Sequence, residues 1–180
     1  MTRKSTHREP IGARSVAQHY MRDLVYGAND GIITTFAVVA GVAGGALSSQ
    51  AVLIVGAANL FADGLSMGVG NYLGIRSHES ARAAQGLDEE EASPARHGIA
   101  TFLAFVVAGA IPLVPYVLPV THTAFLSAAF TLLALFAVGS LRSLVTIDRW
   151  WTAGLEMLGL GAVVAVAAYA SGAAVAAIVR

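Results

Sequence analysis

The chain has 180 residues, of which 56% are hydrophobic and 12% charged, and its mean hydropathy is +0.68. A soluble domain carries about twice that charged share, and the apolar residues here lie in runs too long for a water-soluble fold to bury. Zero net charge gives no basic field for nucleic acid, and the absence of cysteine removes disulfides, thiolate metal sites and iron–sulfur ligation.

An all-α membrane fold follows, because a spanning helix needs ~20 mostly apolar residues and five stretches qualify. Residues 1–23 read as a cytoplasmic N-terminal segment holding Arg3, Lys4, Arg8, Arg14 and Arg22. Within it Ser15 to Arg22 reads as a short interfacial helix with Val16, Tyr20 and Leu24 on one face, or residues 1–14 as a disordered basic tail. The transmembrane domain takes residues 24–180, with spans at about 24–47, 51–75, 99–118, 124–141 and 152–178. A membrane barrel would instead show alternating segments of ~10 residues.

All basic residues but Arg180 fall before the first span, between the second and third, or between the fourth and fifth. The excess of Lys and Arg marks the cytoplasmic side, so the N-terminus is expected inside and the C-terminus outside. Trp150 and Trp151 stand where an interfacial anchor belongs.

An ionisable side chain at mid-bilayer costs at least ~2.5 kcal/mol, which makes each one a functional candidate. Asp30 lies in the first span, between Gly27 and Gly31, on a narrow face with Thr34, Ala37, Gly41 and Gly44, and with Gly27, Gly31 and Gly41 it offers a small-residue face suited to self-association. Asp63 is near the centre of the second span, where 100° per residue places Gly56, Asn59, Asp63, Ser66, Met67, Gly70 and Gly74 on one stripe. Asn59, Asp63 and Met67 stack at i, i+4 spacing, and oxygen donors beside a thioether suit a borderline transition metal better than Mg²⁺ or Ca²⁺. The glycines of that stripe read as packing positions, whereas packing gives no reason for a carboxylate at residue 63. Pro112 and Pro115 in the third span mark either a kinked pore-lining helix or a plain helix end. Glu156 beside Met157 repeats the carboxylate–thioether pairing, against the plainer reading of a glutamate reaching the interface near Arg149. The connector from Arg76 to Gly98, with Glu79, Asp88, Glu89, Glu90, Glu91, His78 and His97, reads first as a solvated loop and alternatively as a metal collector. The five histidines show no zinc-site spacing.

The stretches GANDGIITTFAVVAGVAGG, ANLFADGLSMGVGNYLG and HGIATFLAFVVAGAIPLVPY, and Gly154-Leu155-Glu156-Met157 followed by Tyr169 and Gly172, resemble the vacuolar iron transporter family. The resemblance runs from about Asp23 to Gly172. It implies a five-helix homodimer that moves Fe²⁺, sometimes Mn²⁺, out of the cytoplasm in exchange for protons, with the first helices of both protomers lining the path; the membrane is expected to be the cell (inner) membrane. The transported ion is substrate, and no cofactor is implied. By motif Asp30 and Met67 map onto metal-path residues, as does Tyr116 after the PLVP run. The chain departs from full-length members in having Asn59 and Asn71 where they have Glu, and in lacking a long Glu-rich metal-binding domain between the second and third spans. It looks more like the shorter subgroup, with Asp63 in place of the missing carboxylate at residue 59. The sequence-based candidates for the metal path are therefore Asp30, Asn59, Asp63, Met67, Tyr116 and Glu156. A manganese-preferring exporter and a non-transporting membrane scaffold remain as alternatives, while an enzyme is disfavoured because no nucleophile–base pair is visible.

Overall fold

The computed structural model of the chain describes Ser5 and residues 10–144 and 146–179. Arg3, Lys4, Arg8 and Arg180, which carry part of the charge asymmetry, lie outside the described residues, as does the side chain of Arg14. The long elements are α1 (Ala13–Gly44), α2 (Ser49–Ala84), α3 (Pro94–Gly109), a 3-10 turn (Ile111–Leu113), α4 (Val114–Val117), α5 (Thr123–Arg142) and α6 (Trp150–Val179). Five membrane-length helical segments result, with α3, the 3-10 turn and α4 together forming the third.

Local chemistry fixes the ends. Ser48 caps α2 by accepting the N–H of Ala51 at 3.3 Å, and Pro94 opens α3, where its missing N–H costs nothing. Pro112 and Pro115 break the third span into α3, the turn and α4 instead of ending it. The Pro112 carbonyl accepts the Ser127 hydroxyl of α5 at 2.6 Å, so a side chain satisfies backbone that the break frees inside the membrane.

Two boundaries differ from the sequence reading. No separate interfacial helix precedes the first span, since α1 is continuous from Ala13 and carries Val16, Tyr20 and Leu24 in its opening turns. Helix α2 continues to Ala84, three turns beyond the apolar run. Its 36 residues rise ~54 Å, against a hydrocarbon core of ~30 Å. Arg76 donates to the Tyr72 hydroxyl at 3.0 Å, and Arg82 pairs with Glu79, the i, i+4 and i, i+3 contacts that support a helix in water.

Helix α1 is the central element, packed on α3, α6, α5 and α2, while α6 lies on α1 and α5. Ile32, Phe105 and Leu135 are fully buried, but so are Thr35, Thr101, Ser127 and Thr131. Such small and hydroxylated interfaces are how helices approach closely in lipid. Phe61, Leu65, Val69 and Leu73 of α2 and Val163, Val166 and Val175 of α6 face outward. Alternation of the spans puts the start of α1, the α2–α3 connector and the α5–α6 turn at one end of the bundle, hereafter the charged end. Arg22, Arg76, Arg82, Arg96, Arg142 and Arg149 all belong to that end.

Candidate functional site

The buried stripe of α2 is Val52, Gly56, Leu60, Gly64 and Gly68, the i, i+4 row that meets α3. Gly68 and Gly98 approach reciprocally: a Cβ on Gly68 would stand 2.8 Å from the Gly98 carbonyl oxygen, and one on Gly98 2.6 Å from that of Gly68. Asn59, Asp63 and Met67 form the neighbouring row, half-buried beside α1. Of the expected stripe, Gly56 does pack, against Leu113, but Ser66, Gly70 and Gly74 are exposed, and both glycines border open space.

Asp30 on α1 is also half-buried, and its carboxylate lies within electrostatic reach of Asp63. Among the described residues neither carboxylate has a hydrogen-bond or ion-pair partner, although Thr34 donates to the Asp30 backbone carbonyl at 2.8 Å. The amide nitrogen of Asn59 is buried and unbonded, as is the amide oxygen of Asn29 next to Asp30. Turning the Asn59 amide over presents its oxygen instead, since the two orientations are an assignment. Asp30, Asn59, Asp63 and Met67 thus line one seam between α1 and α2. Asn29 is not among the sequence-based candidates; its place beside Asp30 is the available signal.

The glycines flanking Asp30 do not form a free face for self-association. Gly27 lies against the backbone of Thr101 and the side chain of Ala104, Gly31 against the backbone of Phe105, and Gly44 against that of Tyr169. They serve the α1–α3 and α1–α6 contacts within one protomer.

The other two candidates lie elsewhere. Tyr116 packs on the apolar cluster of Phe36, Val39, Val42, Val52 and Leu113, toward the end opposite the charged one. Glu156 is exposed and accepts from Arg142 of α5 at 2.6 Å. Its partner is Arg142, not Arg149, and the pair ties Glu156 to α5 rather than to the seam. Met157 is core filling, buried with Ile32 and Leu135.

At the charged end the connector is not simply solvated. Glu79 is buried and accepts the N–H groups of Glu90 and Glu91 at 3.2 and 3.1 Å, latching the connector onto α2. Arg82 pairs in turn with Glu90 at 3.1 Å. Beneath the latch, Asp23 Oδ2 meets His97 Nδ1 at 2.5 Å, and Asp23 Oδ1 accepts from Asn71 at 2.8 Å. Asn71 also donates to Thr101 Oγ at 2.8 Å, and the Thr101 hydroxyl donates to the His97 carbonyl at 3.0 Å. His19 joins the group, its ring centroid 5.0 Å from that of His97. Spacing along the chain could not reveal a histidine pair drawn from α1 and α3.

A model of the VIT family matches residues 21–90 and 78–173. The vacuolar iron transporter of Toxoplasma gondii is 41% identical over 76 residues, covering 42% of this chain and 25% of that protein. Vacuolar iron transporter 1 of Eucalyptus grandis is 25% identical over 216 residues, covering 87% of each. Vacuolar iron transporter homolog 5 of Oryza sativa subsp. japonica is 34% identical over 104 residues, 53% of this chain and 50% of that protein. The chain therefore spans from a quarter to most of the length of these curated relatives. An alignment of 216 positions exceeds the whole of this chain, so the Eucalyptus protein carries residues absent here. The two segments matched by the family model meet at residues 78–90, around the end of α2.

Proposed function

This chain belongs to the VIT family, whose members are transporters rather than enzymes, and on that premise we propose that it exports Fe²⁺ from the cytoplasm in exchange for protons. The observation that carries the reading is the α1–α2 seam, where two carboxylates with no partner among the described residues lie within electrostatic reach of each other, beside a thioether and an unbonded amide. Within the membrane an unpaired carboxylate is expensive, and two in mutual reach are more so. A divalent cation relieves both costs. Because carboxylates bind metal only when deprotonated, the same groups hold either a metal ion or protons, and exposing them alternately to each side yields antiport. The donor set of hard oxygens and one soft sulfur suits Fe²⁺ or Mn²⁺.

In this reading the charged end faces the cytoplasm, following the basic residues, and the membrane is the cell's own inner membrane. Ser66, Met67 and Gly70 leave the seam open on one side, and a second protomer placed there by a two-fold axis would cover the polar row. The homodimer is tested by Ser66→Cys, which should crosslink between protomers; a monodisperse monomer with full activity excludes it.

Flux is tested with purified protein in liposomes, offering Fe²⁺, Mn²⁺, Co²⁺ and Zn²⁺ side by side, with and without an imposed proton gradient. Gradient-driven Fe²⁺ movement is expected. Faster Mn²⁺ movement would make the protein a manganese exporter, and no movement of any metal would leave a membrane scaffold as the better reading.

A further inference from the structure

We propose that His19, Glu91 and His97 form a transition-metal site at the charged end of the bundle. One ligand atom from each converges within 4.8 Å of the others. Glu91 Oε2 lies 3.0 Å from His97 Nε2 and 3.4 Å from His19 Nε2.

The protonation pattern turns this proximity into a site. Asp23 can only accept when ionised, so His97 donates from Nδ1, and in the neutral imidazole its Nε2 then carries a lone pair. Glu91 Oε2, 3.0 Å away, lies off the direction that a hydrogen bond from this nitrogen would take, and His97 Nε2 is buried without a hydrogen bond. Where His97 is neutral, a metal cation can bind its Nε2 and the Glu91 oxygen, 3.0 Å apart, together. Asp23, His97 and a metal would form the carboxylate–histidine–metal arrangement that fixes the ring and raises its basicity. Asn71 holds Asp23 from behind, so the support extends a further layer.

Glu91 is equally well presented. The Glu79 latch fixes its backbone, and its Oε1 accepts the Ser93 N–H at 2.8 Å. Its Oε2 is the atom turned toward the two imidazoles. Two imidazoles and one carboxylate with positions to spare suit Fe²⁺ and its first-row neighbours, and disfavour Mg²⁺ and Ca²⁺, which want oxygen throughout.

The three ligands line one cleft of about 940 Å³ together with Asn71, Gly70 and Met67. Metal held by the triad would thus sit in the same cleft as Met67 of the seam. This loading role rests on the transport reading; binding by the triad does not.

Co²⁺ titration of the purified full chain in detergent tests the site, read by the visible ligand-field bands of the bound ion. Wild type should bind Co²⁺ with nitrogen-ligated bands. Glu91→Gln and His19→Ala should each weaken that binding by at least about tenfold, as should Asp23→Asn through its hold on His97, while Asp63→Asn keeps the bands. If Glu91→Gln and His19→Ala, still helical and monodisperse, bind Co²⁺ as wild type does, the proposal is overturned. It is overturned equally if wild type shows no such bands, because the cation between His97 and Glu91 is then a proton. In liposomes Glu91→Gln should raise the metal concentration for half-maximal flux and leave the maximal rate nearly intact. Bands without flux in wild type would retain the site and discard transport.

Discussion

Asp23 and His97 meet at 2.5 Å across the α1–α3 contact with only 2% and 5% of their surface exposed. A charge held this deeply is tolerable because the Asp23 side of the network is occupied: Asn71 serves Asp23, and Thr101 serves both Asn71 and the His97 backbone. Each satisfied arm adds to what such a network contributes.

Removing one arm should therefore be costly. Asn71→Ala leaves the Asp23 carboxylate short of a donor, which we expect to lower stability by ~1–3 kcal/mol. Thermal unfolding of the detergent-solubilised protein measures this, and an unchanged midpoint would mean that water replaces the amide.

The meeting of α2 with α3 makes a sharper pair of expectations. Gly68→Val must push the two helices apart at the Gly98 carbonyl and should cost ~1–3 kcal/mol or more. Gly159→Ala, at an exposed glycine of α6 with open space around it, should be neutral or stabilising by up to ~1 kcal/mol, as replacing a helical glycine is elsewhere. Denaturation of both variants side by side decides the matter.

At the seam, Asp63→Asn keeps the shape of the side chain and its hydrogen-bonding capacity but exchanges no proton. The variant should fold as wild type does and lose metal flux driven by a proton gradient. Undiminished gradient-driven uptake into liposomes would transfer the coupling role to Asp30.

Glu156 provides the contrast. Its exposed pair with Arg142 belongs to a class worth at most ~1 kcal/mol, so Glu156→Gln should change stability little and leave flux intact. A large loss of flux would return Glu156 to the metal path.

The five spans are legible because lipid imposes a length of apolar chain, and no other signal in this sequence is as strong. Hydropathy is silent about helix that continues into water, so the last three turns of α2 look like loop until the fold is seen. Periodicity puts Asn59, Asp63 and Met67 on one row, and they share one. It does not say which helix each glycine approaches: Gly27 and Gly31 suggest self-association and instead admit α3. The histidine cluster is invisible for a related reason. His19 and His97 become neighbours only through the packing of α1 on α3, and Glu91 only through the latch at Glu79.

That latch is one of two fastenings of the connector, since Arg82 also donates to the Asp88 carbonyl at 3.3 and 3.0 Å. From Glu90 onward the backbone is fastened to α2, whereas at Gly86 it turns left-handed, with φ +72° and empty space around the α-carbon. Chain added after Gly86 would begin and end at nearly one point, and each doubling of its length would add only ~0.6 kcal/mol of closure cost. Gly86 is accordingly a graft point, where a rigid soluble partner can be fused to give this small membrane protein a recognisable outline for imaging while every helix stays as it is.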